Sequence, residues 1–172
     1  MAPNSTRRKV ASMNTLTAML TAVTEQNSRR AAIVEGETTL TYAELNSRVM
    51  SLAAQFYDLG IRPGDRAVIL LPNGSHFVAS YFAVVSLGGI VVPLNEQYQE
   101  SELLRFLTDT GASFIITLRS FSGLCQKIMR SCRWPCELFL VDDSTQTSVA
   151  GSPVNTGGVI NPDAPVMYQF SS

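Results

Sequence analysis

The chain has 172 residues, enough for one ordinary domain with a sizeable core, and at 45% hydrophobic and 16% charged it is globular and slightly lean in charge. Lysine plus arginine number 13 against 14 for aspartate plus glutamate, a formal net charge of −1 with no block of one sign. That excludes the basic field a nucleic-acid backbone needs and the charged tail of many interaction proteins, and no apolar run nears the ~18 residues of a membrane span.

The first acidic residue is Glu25, and Arg7, Arg8 and Lys9 lie ahead of it. Residues 1–13 therefore read as a disordered leader similar to a weak organellar presequence, which sets an organelle as the alternative to a cytoplasmic location. "ASMNTLTAMLTAV" is too polar for a secretory core. Leu16, Met19, Leu20 and Val23 instead recur at helical spacing and predict an amphipathic helix. "AAIVEGETTL" predicts a hairpin around Glu35-Gly36-Glu37. In "TYAELNSRVMSLAAQFYDLG", Thr41 and Glu44 form a capping box, and Tyr42, Leu45, Val49, Leu52, Phe56 and Leu59 hold one apolar face. Gly60 suits the C-terminal stop. Residues 14–66 are thus helix, hairpin and helix.

From residue 67 to 141 the pattern alternates. Apolar runs start at Ala67 ("AVILL"), Ile90 ("IVVPL"), Phe114 ("FIITL") and Leu138 ("LFLV"), each without polar alternation. Helical stretches separate them: "SHFVASYFAVVSLGG", a segment from about Ser101 to Thr110, and one marked by Leu124, Ile128 and Met129. Strands apolar on both faces and spaced by helices predict an α/β fold with one parallel sheet covered on both sides. Asp142–Pro165 is a long Ser/Thr/Gly/Pro-rich loop, and 166–172 opens as a strand, "VMYQF", of this sheet or another.

The common nucleotide fingerprints are missing: no G-x-G-x-x-G follows a strand, and no complete P-loop motif exists. Cys125, Cys132 and Cys136 lack a C-x-x-C pair and a nearby fourth ligand, so unbridged, metal-free thiols are expected. His76, in the first turn of its helix, reads as a surface or capping residue. Gly88-Gly89 reads as a helix stop with a tight turn, and Asp142-Asp143 as solvated loop acids.

Three segments in order change the weight of these observations. "LTYAELN" (Leu40–Asn46), "SLGGIVVPLN" (Ser86–Asn95) and "MYQFSS" (Met167–Ser172) resemble the first three core motifs of the acyl-adenylate-forming superfamily. That superfamily comprises acyl- and aryl-CoA ligases, peptide-synthetase adenylation domains and beetle luciferases. The resemblance runs from about Leu16 to Ser172 and implies a partial N-terminal domain, an αβα sheet with the remainder of the domain missing. In the family the third motif continues into a loop of the form [ST]-[SG]-G-[ST]-T-G, whose glycines turn N–H groups toward a triphosphate. Ser171 and Ser172 match its first positions, so the resemblance implies that they bind nucleotide phosphate and that the chain breaks off inside the loop.

The resemblance implies ATP, Mg and coenzyme A as cofactors, a carboxylic acid (fatty or aryl) as substrate, and a chain inactive by itself. Exposed apolar faces are then expected to favour self-association. Asn95 leans toward the CoA ligases, because peptide-synthetase domains usually carry Asp there. A domain loading a carrier protein and a truncated, non-catalytic interaction module are the alternatives.

Overall fold

The computed structural model describes residues 16–142, 165–167 and 169. The expected leader, most of the expected 142–165 loop, and Ser171 and Ser172 lie outside the described residues. Helix α1 (Leu16–Asn27) follows the predicted position but buries only Leu20; Leu16 and Met19 are 37% and 54% exposed. Strands β1 (Ala31–Glu35) and β2 (Thr38–Thr41) pair antiparallel as the predicted hairpin. Helix α2 (Tyr42–Leu59) then starts at the predicted capping box. Thr41 Oγ1 accepts from the Glu44 N–H at 3.3 Å, and Glu44 Oε2 accepts from the Thr41 N–H at 2.8 Å. Its end is left-handed at Gly60, whose N–H donates to the Phe56 and Tyr57 carbonyls.

Strands β3 (Arg66–Leu70), β4 (Ile90–Pro93), β5 (Phe114–Leu118) and β6 (Glu137–Val141) form one sheet of order β4-β3-β5-β6, with every pairing parallel. The four apolar runs thus form the single parallel sheet the sequence predicts; β3 and β6 each begin one residue earlier than their runs. The connecting helices are α3 (Ser75–Ser86), α4 (Glu100–Thr110) and α5 (Ser122–Ser131), the last entered through a short 3-10 turn at Arg119–Phe121.

Strand side chains alternate between faces, and the two cores follow that period. Ala67, Ile69 and Leu71 pack with α1, α2 and α3 on one side, whereas Val68 and Leu70 pack with α4 and α5 on the other. Gly89 lets the α3–β4 turn close tightly: a Cβ there would meet the Val84 side chain at 2.8 Å. The paired glycines are therefore structural, as their sequence position suggests.

The run near the end of the chain joins this sheet. The Val91 N–H donates to the Val166 carbonyl at 2.9 Å, and Met167 forms a parallel bridge to Val91. This adds an edge outside β4 at Val166 and Met167; the rest of the predicted strand, Gln169 apart, lies outside the described residues.

On the inner strands, Thr117 is fully buried and its Oγ1 donates to the Leu70 carbonyl at 2.8 Å, tying β5 to β3 near their carboxyl ends. Thr117→Val keeps the shape and removes the donor. It should cost about 1–2 kcal/mol, read as a lower urea midpoint at unchanged slope.

Candidate functional site

The topology fixes where a ligand can bind. After β3 the chain turns through Pro72-Asn73-Gly74 into α3 on the first face of the sheet, and after neighbouring β4 it leaves through Leu94–Gln99 to α4 on the second face. Two adjacent parallel strands whose outgoing connections part to opposite faces leave a crevice at their carboxyl ends. A cleft of about 440 Å³ occupies that position.

The β3–α3 side supplies Leu71, Asn73 and Phe77, and the β4–α4 side supplies Pro93, Leu94, Asn95, Glu96, Gln97 and Tyr98. Gln169, just past the edge bridge, completes it. The second wall is held by its own hydrogen bonds. The Leu94 N–H donates to the Ile69 carbonyl at 3.0 Å, continuing the ladder beyond β4. Asn95 Oδ1 accepts from the Gln97 N–H at 2.9 Å, and the Asn95 carbonyl accepts from the Tyr98 N–H at 3.1 Å. This Asx-type turn presents Tyr98, whose ring rests on Phe106 with centroids 5.1 Å apart.

The lining is mostly polar, neutral amides set among a few apolar side chains, and Glu96 is its one charged residue. Such a surface fits an uncharged, hydrogen-bonding body. It does not supply the cations that a triphosphate needs. Among the described residues no group of three or more His, Cys, Asp or Glu could hold a metal ion. A Mg–triphosphate group therefore does not fit the described side chains alone.

The residues singled out in the sequence fall in different places. Asn95 lines the cleft, with its side chain committed to the turn. His76 lies in the first turn of α3, and Asp142 follows β6; neither lines the cleft. Asp143, Ser171 and Ser172 lie outside the described residues. Sequence reasoning missed Asn73, Phe77, Tyr98 and Gln169 as cleft residues. For Asn73 and Tyr98 the available signal was their position in the loops just after apolar strand runs.

Cys125, Cys132 and Cys136 are free thiols packed on the second core, with Cys125 buried and the others half-buried. Burial pushes Cys125 up to about 11 and Cys136 up to about 12, and it raises Cys132 as well. The thiolate is the nucleophile, so at pH 7.5 iodoacetamide should label Cys125 about 100-fold more slowly than an ordinary exposed thiol. Cys132 should react first, and all three should react after unfolding. Mass spectrometry of a labelling time course reads this directly.

Comparison with known proteins agrees with the fold. The family model described as AMP-binding enzyme matches residues 20–172. A feruloyl-CoA synthase of Amycolatopsis sp is 44% identical over 85 residues, 49% of this chain and 17% of its own length. 4-Coumarate–CoA ligase 4 of Arabidopsis thaliana is 36% identical over 93 residues, 53% of this chain and 16% of its own. The phosphinothricin tripeptide synthetase PhsC of Streptomyces viridochromogenes is 28% identical over 158 residues, 89% of this chain and 14% of its own. The N-terminal domain of FACL13 from Mycobacterium tuberculosis superposes with a TM-score of 0.76 at 24% identity, over 92% of this chain and 42% of that one. The O-succinylbenzoate coenzyme A synthetase of Bacillus subtilis, in complex with AMP, gives 0.66 at 29% identity over 77% and 33%. This chain spans under a fifth of the curated relatives' length. It belongs to the AMP-binding enzyme family, within the acyl-adenylate-forming superfamily.

Proposed function

We propose that the chain is the N-terminal part of an ATP-dependent acid–thiol ligase that activates a carboxylic acid as its acyl-AMP and passes the acyl group to coenzyme A. The observation that carries this is the cleft at the parting of β3 and β4, in a chain whose residues 20–172 match the AMP-binding family. A carboxylic acid of pKa about 4 is ionised at neutral pH, so its attack on the α-phosphorus needs no general base. The new bond is between a carboxylate oxygen and that phosphorus, and the bond to pyrophosphate breaks. In the second step a thiol sulfur bonds the acyl carbon and AMP departs.

A lining whose polar groups are mostly neutral amides, with Glu96 its one charge, suits the acid's body or another neutral part of a substrate. The phosphate contacts belong to Ser171, Ser172 and residues beyond them. Gln169, two positions before Ser171 in the chain, lies on the cleft. By itself the chain would lack the remaining phosphate donors and be inactive. Exposed Met19 and Val34 offer apolar surface for self-association.

A carrier-protein acceptor is the second reading, favoured by the match to a peptide synthetase over 89% of this chain. Asn95, where such domains usually carry Asp, weighs toward coenzyme A. Reading the gene past Ser172 separates the cases: a carrier domain supports the second reading, and a stop codon a non-catalytic module. The decisive assay gives the full gene product ATP, a panel of fatty and aryl acids, and either coenzyme A or a phosphopantetheinylated carrier. Acyl-CoA detected by mass is the expected result, and acylation of the carrier alone would replace this reading with the second.

A further inference from the structure

Helix α3 begins without a capping side chain of its own. Its N-cap is Gly74, with no side-chain hydrogen bond there. The first N–H groups of a helix lack intrahelical acceptors, so one must come from elsewhere. It comes from Glu35, 40 positions upstream at the end of β1: the Ser75 N–H donates to Glu35 Oε2 at 3.1 Å. An anionic acceptor also complements the positive end of the helix dipole.

The approach is tight. A Cβ on Gly74 would stand 2.5 Å from Glu35 Oε1 and 3.0 Å from its Cδ. Gly74 has φ 164°, extended backbone open to any residue, so the carboxylate's proximity is what calls for glycine here. Glu35 itself is exposed and does not line the cleft. Ser75, which it holds, lies between the cleft residues Asn73 and Phe77.

The geometry points to Glu35 as a positioning residue for the cleft: its carboxylate latches the β1–β2 hairpin to the β3–α3 turn and fixes the wall made by Asn73 and Phe77. The effect on catalysis rests on the cleft being the ligand site, but the latch can be tested with no ligand. The Glu35 carboxyl is held below the usual carboxylate range, first by the Ser75 backbone bond, then by the Ser75 side chain, with smaller contributions from His76 and Arg48. A lowered folded pKa means that the latch is complete above the unfolded carboxylate value. It opens as pH falls through the folded one. Ser75 and His76 on α3 and Arg48 on α2 are the groups that face the carboxylate, so the test must separate carboxylate from imidazole.

Proton–nitrogen NMR of this chain across an acid titration makes that separation. The Ser75 backbone amide and the Asn73 side-chain amide should titrate together, with a midpoint below that of an ordinary glutamate. The transition should vanish in Glu35→Gln and persist in His76→Gln. Glu35→Ala should speed amide exchange at Ser75 about tenfold while β3 amides keep their protection, which separates local opening from global unfolding. Gly74→Ala, which pushes the carboxylate away from the other side, should give the same pattern. A transition that survives Glu35→Gln or is lost in His76→Gln overturns the assignment, as does an Asn73 amide that ignores every variant. In the full gene product, Glu35→Ala should raise KM for the acid about tenfold and leave kcat within about twofold, because the wall is moved and not the reacting atoms. An unchanged KM overturns the positioning role. An inactive wild-type enzyme with an intact NMR pattern instead refutes the proposed function and leaves the latch standing.

Discussion

Phe56→Ala should destabilise the protein by about 3–5 kcal/mol. Phe56 is completely buried on α2 and meets the Phe139 ring edge-to-face, with centroids 4.9 Å apart and an interplanar angle of 88°. It therefore joins α2 to β6 through two rings more than 80 positions apart in the chain. The loss combines the transfer energy of the ring, the cavity left in a core lined by neighbours on both elements, and about 1 kcal/mol from the aromatic pair. A domain stable by about 5–15 kcal/mol would lose a large share of its margin. The adjacent Tyr57→Ala is the control. Tyr57 is 38% exposed and chiefly packs under the Arg62 guanidinium, 3.9 Å from its ring centroid, so its loss should cost about 1 kcal/mol. Urea denaturation of the two variants compares them. Equal shifts would mean that α2 does not pack on the sheet as described.

The elements legible in the sequence are those specified locally. The capping box at Thr41 and Glu44, the left-handed stop at Gly60 and the Glu-Gly-Glu hairpin each depend on residues within a few positions of one another. The four strand runs were equally plain, because strands covered on both faces lose polar alternation. Strand order was not legible. Nothing in "AVILL" or "FIITL" says that β5 lies beside β3 and β4 on its far side. The cleft depends on that order and on the faces to which α3 and α4 go, so its position could not be read before the topology was known. The same holds for Glu35. It looks like an ordinary hairpin residue until the fold carries α3's uncapped N-terminus to it. In α1 the helical spacing is legible, but how deep its apolar stripe sits is not, since Leu16 and Met19 share the stripe and remain exposed while Leu20 is buried. Asn95 carried a lean between relatives, whereas its visible task is the turn that holds Tyr98.

On the proposed function, this chain contributes a substrate wall of mostly neutral polar groups to an adenylate-forming site whose phosphate contacts come from Ser171 onward. The second large effect follows from it. Preorganised donors aimed at developing charge are worth about 3 kcal/mol each in typical enzymes, so a site without most of its phosphate donors loses many orders of magnitude in rate. The described cleft has no cation among its lining residues, and no metal-capable cluster exists among the described residues. ATP–pyrophosphate exchange, measured on this 172-residue chain and on the gene product read past Ser172 with a panel of fatty and aryl acids, tests the claim most directly. The account predicts no exchange above background by the chain alone and acid-dependent exchange by the full product with at least one acid. Exchange by the chain alone would show that the phosphate site lies within these residues, and no exchange by the full product with any acid would contradict the ligase reading.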